Sequence, residues 1–214
     1  MSKRNWEKGT AQPIPNSKYT RFKETLREHS EVNSERNIML FILARATGYR
    51  MQDLVCLTIK DIKLALKAGE FNIQEQKQYK QWVSNLKNYP NRKKPEKRKA
   101  EIGPKLERYL MNYVKNKKDS DFAFESKKGN RNEFITQKSY SLILSEVGKK
   151  IGLKNISGHS PRKTYATKIY EESNFNVEKV RVALGHKSIE ETKRYLGLKE
   201  AMKSDAARIA DEGI

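Results

Sequence analysis

Residues 184–195 read LGHKSIEETKRY and give the strongest local indication of how the C-terminal part of the chain folds. Glycine commonly ends a helix because it adopts left-handed backbone angles without penalty, so Gly185 predicts a helix end. Ser188 and Glu191 have the spacing of a capping box, which predicts the start of a new helix. Tyr195 therefore falls two turns along a short helix that can move as a unit.

A second segment, residues 159–163, reads HSPRK and has the features of a helix start. Ser160 is of a type that caps helices, and the proline after it suits a first turn because its fixed φ and missing N–H are tolerated there. Arg162 therefore falls in the first turn, where free backbone N–H groups favour an anion. His159 lies at the same helix start and can share a proton with a bound or attacking group.

The remaining pattern predicts a helix-rich chain with one small sheet. An apolar run from Ser34 predicts a central buried helix that Gly48 ends, and a further helix is expected over about residues 58–67. Alternating apolar and polar residues at 71–75 predict a half-buried strand, with a returning strand near residues 99–102. Two more helices are expected from apolar stripes at Leu106, Tyr109, Leu110, Tyr113 and Val114 and at Tyr140, Ile143, Leu144, Val147 and Ile151.

The segment between these two strands is polar and strongly basic. Residues 87–99 contain seven basic side chains against one acid, Glu96, and the excursion also contains Trp82 and Tyr89. We expect a long, basic hairpin that carries aromatic side chains. A merely solvated surface is an equally supported interpretation, since charge runs usually have no other role.

A third segment, residues 47–54, reads TGYRMQDL, and the three segments together resemble the tyrosine recombinase family of the phage integrase type. That family has an Arg after Thr-Gly, then His-x-x-Arg, then Leu-Gly-His, with the nucleophilic Tyr nine residues beyond that His. The matching residues, in order and at this spacing, are Arg50, His159, Arg162, His186 and Tyr195.

The resemblance implies a fold and an activity. The fold is mainly α with a small antiparallel sheet, that of the catalytic domain of DNA breaking-rejoining enzymes, and the activity is cleavage and rejoining of DNA through a covalent phosphotyrosine at Tyr195. The chemistry of the residues agrees. Arg50 and Arg162 can bind the non-bridging phosphate oxygens and stay charged at any working pH. The Tyr195 phenol, with a reference pKa of about 10, attacks at neutral pH only if nearby cations and a proton acceptor stabilise its anion. His186 can supply a further hydrogen bond.

The acid that protonates the leaving 5′-oxygen is a lysine on a strand hairpin in this family. Lys77, directly after the strand, resembles that lysine, and Lys80 is the second candidate. The insertion at residues 78–97 departs from the family's usual tight turn.

Two neighbours of the arginines also enter the predicted site. Asp53, three residues after Arg50, is expected to face it across a helical turn and orient its guanidinium, with an ordinary surface ion pair as the alternative. Lys163 stands where the family commonly has a His, which keeps the positive charge and removes a group that accepts a proton near neutral pH.

Composition identifies the class of partner. The chain of 214 residues carries 45 Lys and Arg against 26 Asp and Glu, a net charge of +19, which predicts a polyanion such as double-stranded DNA. No apolar run approaches the roughly 20 residues needed to cross a bilayer, so we expect no membrane association. Residues 1–8 lack the apolar core of a signal peptide, so we expect a cytoplasmic location. The chemistry requires no cofactor and no metal.

We expect a polar arm or linker at residues 1–30 and a catalytic domain at 31–214. The resemblance further implies that a C-terminal helix from about residue 199, with apolar Ala206, Ile209 and Ala210, docks on a neighbouring protomer in a homo-oligomer of up to four chains on DNA. The chain could be a fragment, a minimal recombinase, or a relative that binds DNA without recombining it. Two other functions are the alternatives to a recombinase: a type IB topoisomerase, which uses similar chemistry, and a non-catalytic DNA-binding regulator.

Overall fold

The structure is a computed structural model that describes residues 11–126, 133–198, 206 and 209–212. The chain divides into two compact units, Met1–Thr164 and Tyr165–Ile214, and the division falls inside the range expected to form one catalytic domain. The described residues are mainly helical with one two-stranded antiparallel sheet, which confirms the predicted fold class.

The elements of the first unit follow in chain order. They are α1 (Tyr19–Ser30), α2 (Ser34–Thr47), α3 (Met51–Leu54), α4 (Ile59–Ala68), β1 (Glu70–Ile73), α5 (Gln76–Asn85), β2 (Arg98–Glu101), α6 (Pro104–Val114), α7 (Gln137–Lys150) and the start of α8 (Ser160–Glu172). The second unit contains the rest of α8, α9 (Val177–Leu184) and α10 (Ile189–Leu196).

Helix α2 is the central helix of the first unit, as its apolar run predicted. Leu40, Phe41 and Leu43 are fully buried, and they lie on different faces of the helix. Gly48 ends α2 with a φ of 62°, a left-handed angle that favours glycine. The chain therefore turns sharply, and α3 begins only three residues after Gly48.

Helix α4 and the sheet also agree with the prediction. Thr58 caps α4 through a capping box with Asp61, and Gly69 ends the helix with a φ of 72°. Strand β1 then pairs antiparallel with β2, in a register that runs from Glu70 opposite Glu101 to Ile73 opposite Arg98.

The segment between the strands differs from the expected hairpin. Residues Gln76–Asn85 form α5, so the first half of the excursion is helical. The helix begins where the backbone N–H of Gln76 donates to a buried carboxylate oxygen of Asp53, at 2.9 Å. The Asp53 carboxylate thus takes the place of a capping side chain next to the helix, and such a nearby cap is what a prediction from sequence depends on.

The structure differs from the expected arm or linker at residues 1–30 over its last twelve residues. Residues 19–30 form α1, and Phe22 and Leu26, one helical turn apart, are fully buried. The Phe22 ring stacks on Phe41 of α2 with ring centroids 5.1 Å apart. Tyr19, Phe22 and Leu26 have the i, i+3, i+7 spacing of one helical face, but the charged side chains between them and the two prolines that precede α1 gave the segment the composition of a linker.

The second unit has a small core of its own. Ala166, Val180 and Leu184 are buried there, and Tyr195 and Leu196 of α10 pack against them. Gly185 ends α9 with a φ of 65°, as predicted.

The start of α10 also follows the prediction. The Ser188 side chain accepts from the N–H of Glu191 at 3.1 Å. The Glu191 carboxylate completes the turn by accepting from the N–H of Lys187 at 3.1 Å, so its partner lies one residue before the one that a capping box implies.

Most of the expected C-terminal helix, at residues 199–205, 207–208 and 213–214, lies outside the described residues. Ala206, Ile209 and Ala210 are described and are exposed. Within the described part of the chain, every helix is too short or too polar to cross a bilayer.

Candidate active site

Arg50 and Arg162 meet at one carboxylate in the first unit. Arg50 Nη1 lies 2.5 Å from Glu75 Oε2, and Arg162 Nη1 lies 3.2 Å from Glu75 Oε1. Arg162 also donates to the carbonyl of Gly48, at 2.5 Å. Two arginines that are distant in sequence are thus held at one anionic group, and both side chains are largely buried.

The local fold brings each arginine to this position. Arg50 caps α3 immediately after the turn at Gly48, and Arg162 lies in the first turn of α8, as predicted. Helix α8 begins one residue earlier than expected, since the carbonyl of His159 already accepts the helical hydrogen bond from Lys163 N–H at 2.9 Å. Ser160 is therefore the first helical residue, and His159 takes the capping position.

A third arginine, Arg98 of β2, completes the cluster. Its Nε lies 3.6 Å from Glu75 Oε1, and its Nη2 donates to the carbonyl of Thr47 at 2.8 Å. The guanidinium stacks on the Tyr49 ring, 3.6 Å from the ring centroid. Tyr49 is fully buried and donates its hydroxyl to the Arg98 carbonyl, so aromatic and backbone contacts fix this arginine.

Asp53 has a different contact from the one predicted. Its carboxylate accepts from the backbone N–H of Gln76, and the carboxylate that pairs with Arg50 belongs to Glu75. Burial raises the pKa of Asp53 to about 6, against the lowering effects of that hydrogen bond and of nearby arginines. Asp53 therefore fixes the start of α5, and the predicted direct pairing with Arg50 is corrected to Glu75.

His159 lies among positive charges at the start of α8. Although the residue is exposed at the surface, desolvation by the surrounding protein lowers the pKa of its imidazole, and the charges of Arg162, Arg50 and Lys77 lower it further. The neutral imidazole is therefore favoured near neutral pH, and it can accept a proton.

Lys77 lies in the first turn of α5 and is exposed, with Lys80 exposed one turn later. The expected place on a strand hairpin is thus corrected to a helix, although Lys77 still follows the sheet closely enough for its charge to act on His159. Lys163, the second residue after Pro161 in α8, is buried to 7% exposure, unlike most lysines.

His186 and Tyr195 lie together in the second unit. Their rings meet edge to face, with centroids 5.3 Å apart at an interplanar angle of 76°. His186 Nδ1 and the Thr192 hydroxyl oxygen lie 3.1 Å apart and share a hydrogen bond, and the Thr192 hydroxyl is also 3.2 Å from the carbonyl oxygen of Ser188. The Arg181 side chain donates to the His186 carbonyl at 3.0 Å and fixes the backbone after Gly185.

Comparison with known proteins identifies the family. Residues 15–202 match the model of the phage integrase family. The chain belongs to this family. All of the predicted site residues lie within the matched range.

A curated relative of this integrase-family chain supports the same assignment. The probable integrase/recombinase YoeC of Bacillus subtilis (strain 168) is 27% identical over 167 residues, which cover 78% of this chain and 80% of that protein. These comparisons favour a recombinase over a type IB topoisomerase or a non-catalytic regulator.

Solved structures share the fold. The Tn1549 transposon integrase in complex with circular intermediate DNA matches with a TM-score of 0.63 at 16% identity, covering 88% of this chain and 63% of the integrase chain. The XerH site-specific recombinase in a post-cleavage complex with a palindromic difH substrate matches with a TM-score of 0.61 at 19% identity, covering 98% of this chain and 56% of XerH. The chain thus spans less than two thirds of these two recombinases.

Glu75 and Arg98 were missed by the sequence analysis. A signal for Glu75 exists, since alternation along residues 71–75 places it on the same side as Phe71 and Ile73, and a buried acid requires charged or hydrogen-bonding partners. Arg98 has no comparable signal, because it stands in a run of basic residues.

In the described part of the chain, no group of three or more His, Cys, Asp and Glu side chains could hold a metal ion.

Proposed function

We propose that this chain is a site-specific tyrosine recombinase that cleaves double-stranded DNA and rejoins it through a 3′-phosphotyrosine at Tyr195. The observation that carries the proposal is the meeting of Arg50 and Arg162 at the Glu75 carboxylate, at 2.5 and 3.2 Å. One carboxylate thus holds two guanidinium groups close together, and two positive charges fixed in this way can stabilise one phosphodiester.

The proposed reaction has two steps, cleavage of the DNA strand and its rejoining. The Tyr195 oxygen attacks the phosphorus and loses its proton, a phosphorus–tyrosine bond forms, and the bond to the 5′-oxygen breaks. Lys77 donates a proton to that leaving oxygen. In the second step a 5′-hydroxyl attacks the phosphotyrosine and gives up its proton to Lys77, the phosphorus–tyrosine bond breaks, and Tyr195 regains its proton. The energy of the original phosphodiester is retained, so no nucleotide is consumed.

The histidines and arginines have separate roles in this proposal. Arg50 and Arg162 stabilise the negative charge that develops on the non-bridging oxygens. His159, whose pKa is lowered, is the proton acceptor for the phenol. His186 fixes the orientation of Tyr195 through the ring contact within the second unit.

DNA as the partner is supported by charge and by the family. The net charge of +19 provides the electrostatic attraction that phosphate contacts require. Relatives of the same fold were solved in complexes with DNA, among them the Tn1549 integrase and XerH. We propose that the chain assembles on its site as a homo-oligomer of up to four copies through the segment from residue 199.

The test is covalent attachment followed by strand exchange. A binding site is first selected from random duplexes with the wild-type chain. A nicked version of that site should then trap a protein–DNA adduct, because the short cleaved fragment diffuses away. Two intact sites should exchange strands. Relaxation of supercoils without exchange would favour a topoisomerase, and binding without any adduct would favour a regulator.

A further inference from the structure

Glu75 is the central group of the arginine cluster. Its carboxylate faces Arg50, Arg162 and Arg98 at 2.5, 3.2 and 3.6 Å, and its side chain is only 1% exposed. Gln78 Nε2 adds a hydrogen bond to Oε2, at 3.1 Å. Both carboxylate oxygens are therefore engaged by side chains from four different parts of the first unit.

The backbone holds this carboxylate in place. Glu75 is the residue before α5, and its carbonyl accepts the helical hydrogen bond from Tyr79 N–H at 3.0 Å. The next residue, Gln76, is tied to Asp53 through its N–H. The position of the Glu75 side chain is thus determined by the junction between β1 and α5, and it does not depend on the arginines alone.

A buried carboxylate between guanidinium groups has two physical effects. It offsets the repulsion between positive charges that would otherwise drive Arg50 and Arg162 apart. It also fixes direction, because a guanidinium is planar and its five N–H donors keep a fixed geometry, so anchoring one nitrogen orients the whole group. Glu75 thereby pre-organises both arginines before any DNA binds.

We infer that Glu75 is a positioning residue for DNA cleavage, which acts on the scissile phosphate through Arg50 and Arg162. The inference rests on the proposed recombinase function. Its consequence is that loss of the Glu75 charge impairs the stabilisation of charge on the non-bridging oxygens, while the nucleophile and the leaving group are unaffected.

The test compares two nicked substrates that differ at the scissile phosphorus. One is the natural phosphodiester, and in the other a methyl group replaces one non-bridging oxygen, which removes the negative charge. Glu75→Gln should slow adduct formation on the phosphodiester by about 10- to 100-fold, which is the range seen when partners that orient a ligating group are removed. The same substitution should change the rate of adduct formation on the methylphosphonate by no more than about twofold. DNA affinity should change less than the cleavage rate does.

The matched control is Glu70→Gln. Glu70 lies on β1, five residues before Glu75, and forms an exposed ion pair with Lys99 at 2.6 Å, so its loss should leave both rates unchanged. The methylphosphonate rate also shows that a variant is folded. If Glu75→Gln does not fold, Glu75→Asp keeps the charge with a shorter reach and should show the same selective slowing to a smaller degree.

Equal slowing on the two substrates, or no slowing on either, would overturn the inference and leave the recombinase proposal intact. A wild-type chain that binds its selected site and forms no adduct with either substrate would instead remove the proposed function, and this inference with it.

Discussion

The Arg50 guanidinium lies 2.5 Å from the carboxylate of Glu75, an ion pair that joins the residue before α3 to the residue before α5. The same carboxylate receives Arg162 from the start of α8. Three helix starts are therefore tied together at the point where we propose that a phosphate binds. Substitution of either of these arginines is expected to change binding and catalysis together.

Arg162→Ala should weaken DNA binding and slow adduct formation by about 10²- to 10³-fold, the usual cost of removing one pre-organised donor from a site that stabilises an oxyanion. Binding falls as well because the same guanidinium contacts the ground-state phosphate. The rates are measured on a nicked duplex and the affinity by fluorescence anisotropy. Lys63→Ala is the control, since it removes one positive charge from an exposed ion pair with Asp119. Equal effects of the two variants would mean that net charge alone matters.

Lys77→Ala should slow cleavage of ordinary DNA far more than cleavage of a substrate whose bridging 5′-oxygen is replaced by sulfur. Sulfur leaves without a proton, so it bypasses the acid that we assign to Lys77. Lys80→Ala, one helical turn away, is the matched variant and should slow neither substrate. Selective slowing by Lys80→Ala alone would move the assignment to Lys80.

Phe22→Ala should lower the free energy of unfolding by about 3–5 kcal/mol, because a fully buried ring is removed from the contact between α1 and α2. Val32 is 82% exposed, so Val32→Ala should change stability by less than about 0.5 kcal/mol. Urea denaturation followed by circular dichroism measures both. If the two variants are equally stable, α1 does not belong to the core.

Asp53→Asn should change how stability depends on pH. Burial raises the pKa of Asp53 from 3.8 to about 6 in the folded chain, so the folded state holds this proton more tightly than the unfolded state does. The contribution of Asp53 to stability is then favourable below the unfolded pKa and is lost as pH rises to about 6 and above. Asn does not titrate.

The free energy of unfolding of Asp53→Asn, relative to wild type, should therefore be higher at pH 7 than at pH 4. Asp119→Asn, at an exposed ion pair, is the control and should show no such increase. A difference between Asp53→Asn and wild type that stays constant across this pH range would contradict the raised pKa.

Local signals in the sequence predicted those parts of the fold that local interactions determine. The helix ends at Gly48 and Gly185 were predicted because each needs only a left-handed glycine. The start of α10 at Ser188 was predicted for a similar reason, since a cap and its partner lie three residues apart.

The parts that were missed depend on distant partners. Helix α5 has the polar sequence QKQYKQWVSN and begins with a hydrogen bond to Asp53, which no local pattern reveals. The partner of Arg50 was sought within one turn, at Asp53, whereas it lies at Glu75 beyond α4 and β1. Family resemblance identified the arginines, and only the tertiary fold identified the carboxylate between them.

The covalent bond that we propose between Tyr195 and DNA can be observed directly. The most direct measurement is mass spectrometry of the adduct trapped on a nicked duplex that carries the selected site. Tyr170→Phe is the matched control, because Tyr170 packs in the same small core of the second unit as Tyr195. Tyr195→Phe and Tyr170→Phe each remove one phenolic oxygen and leave the ring to pack.

We expect a 3′-phosphate on the peptide that contains Tyr195, formed equally well with a metal chelator present. Tyr195→Phe should abolish the adduct with nearly unchanged DNA affinity, and Tyr170→Phe should retain it. An adduct that survives in Tyr195→Phe, or a wild-type chain that binds the site and leaves the Tyr195 peptide unmodified, would show that Tyr195 is not the nucleophile.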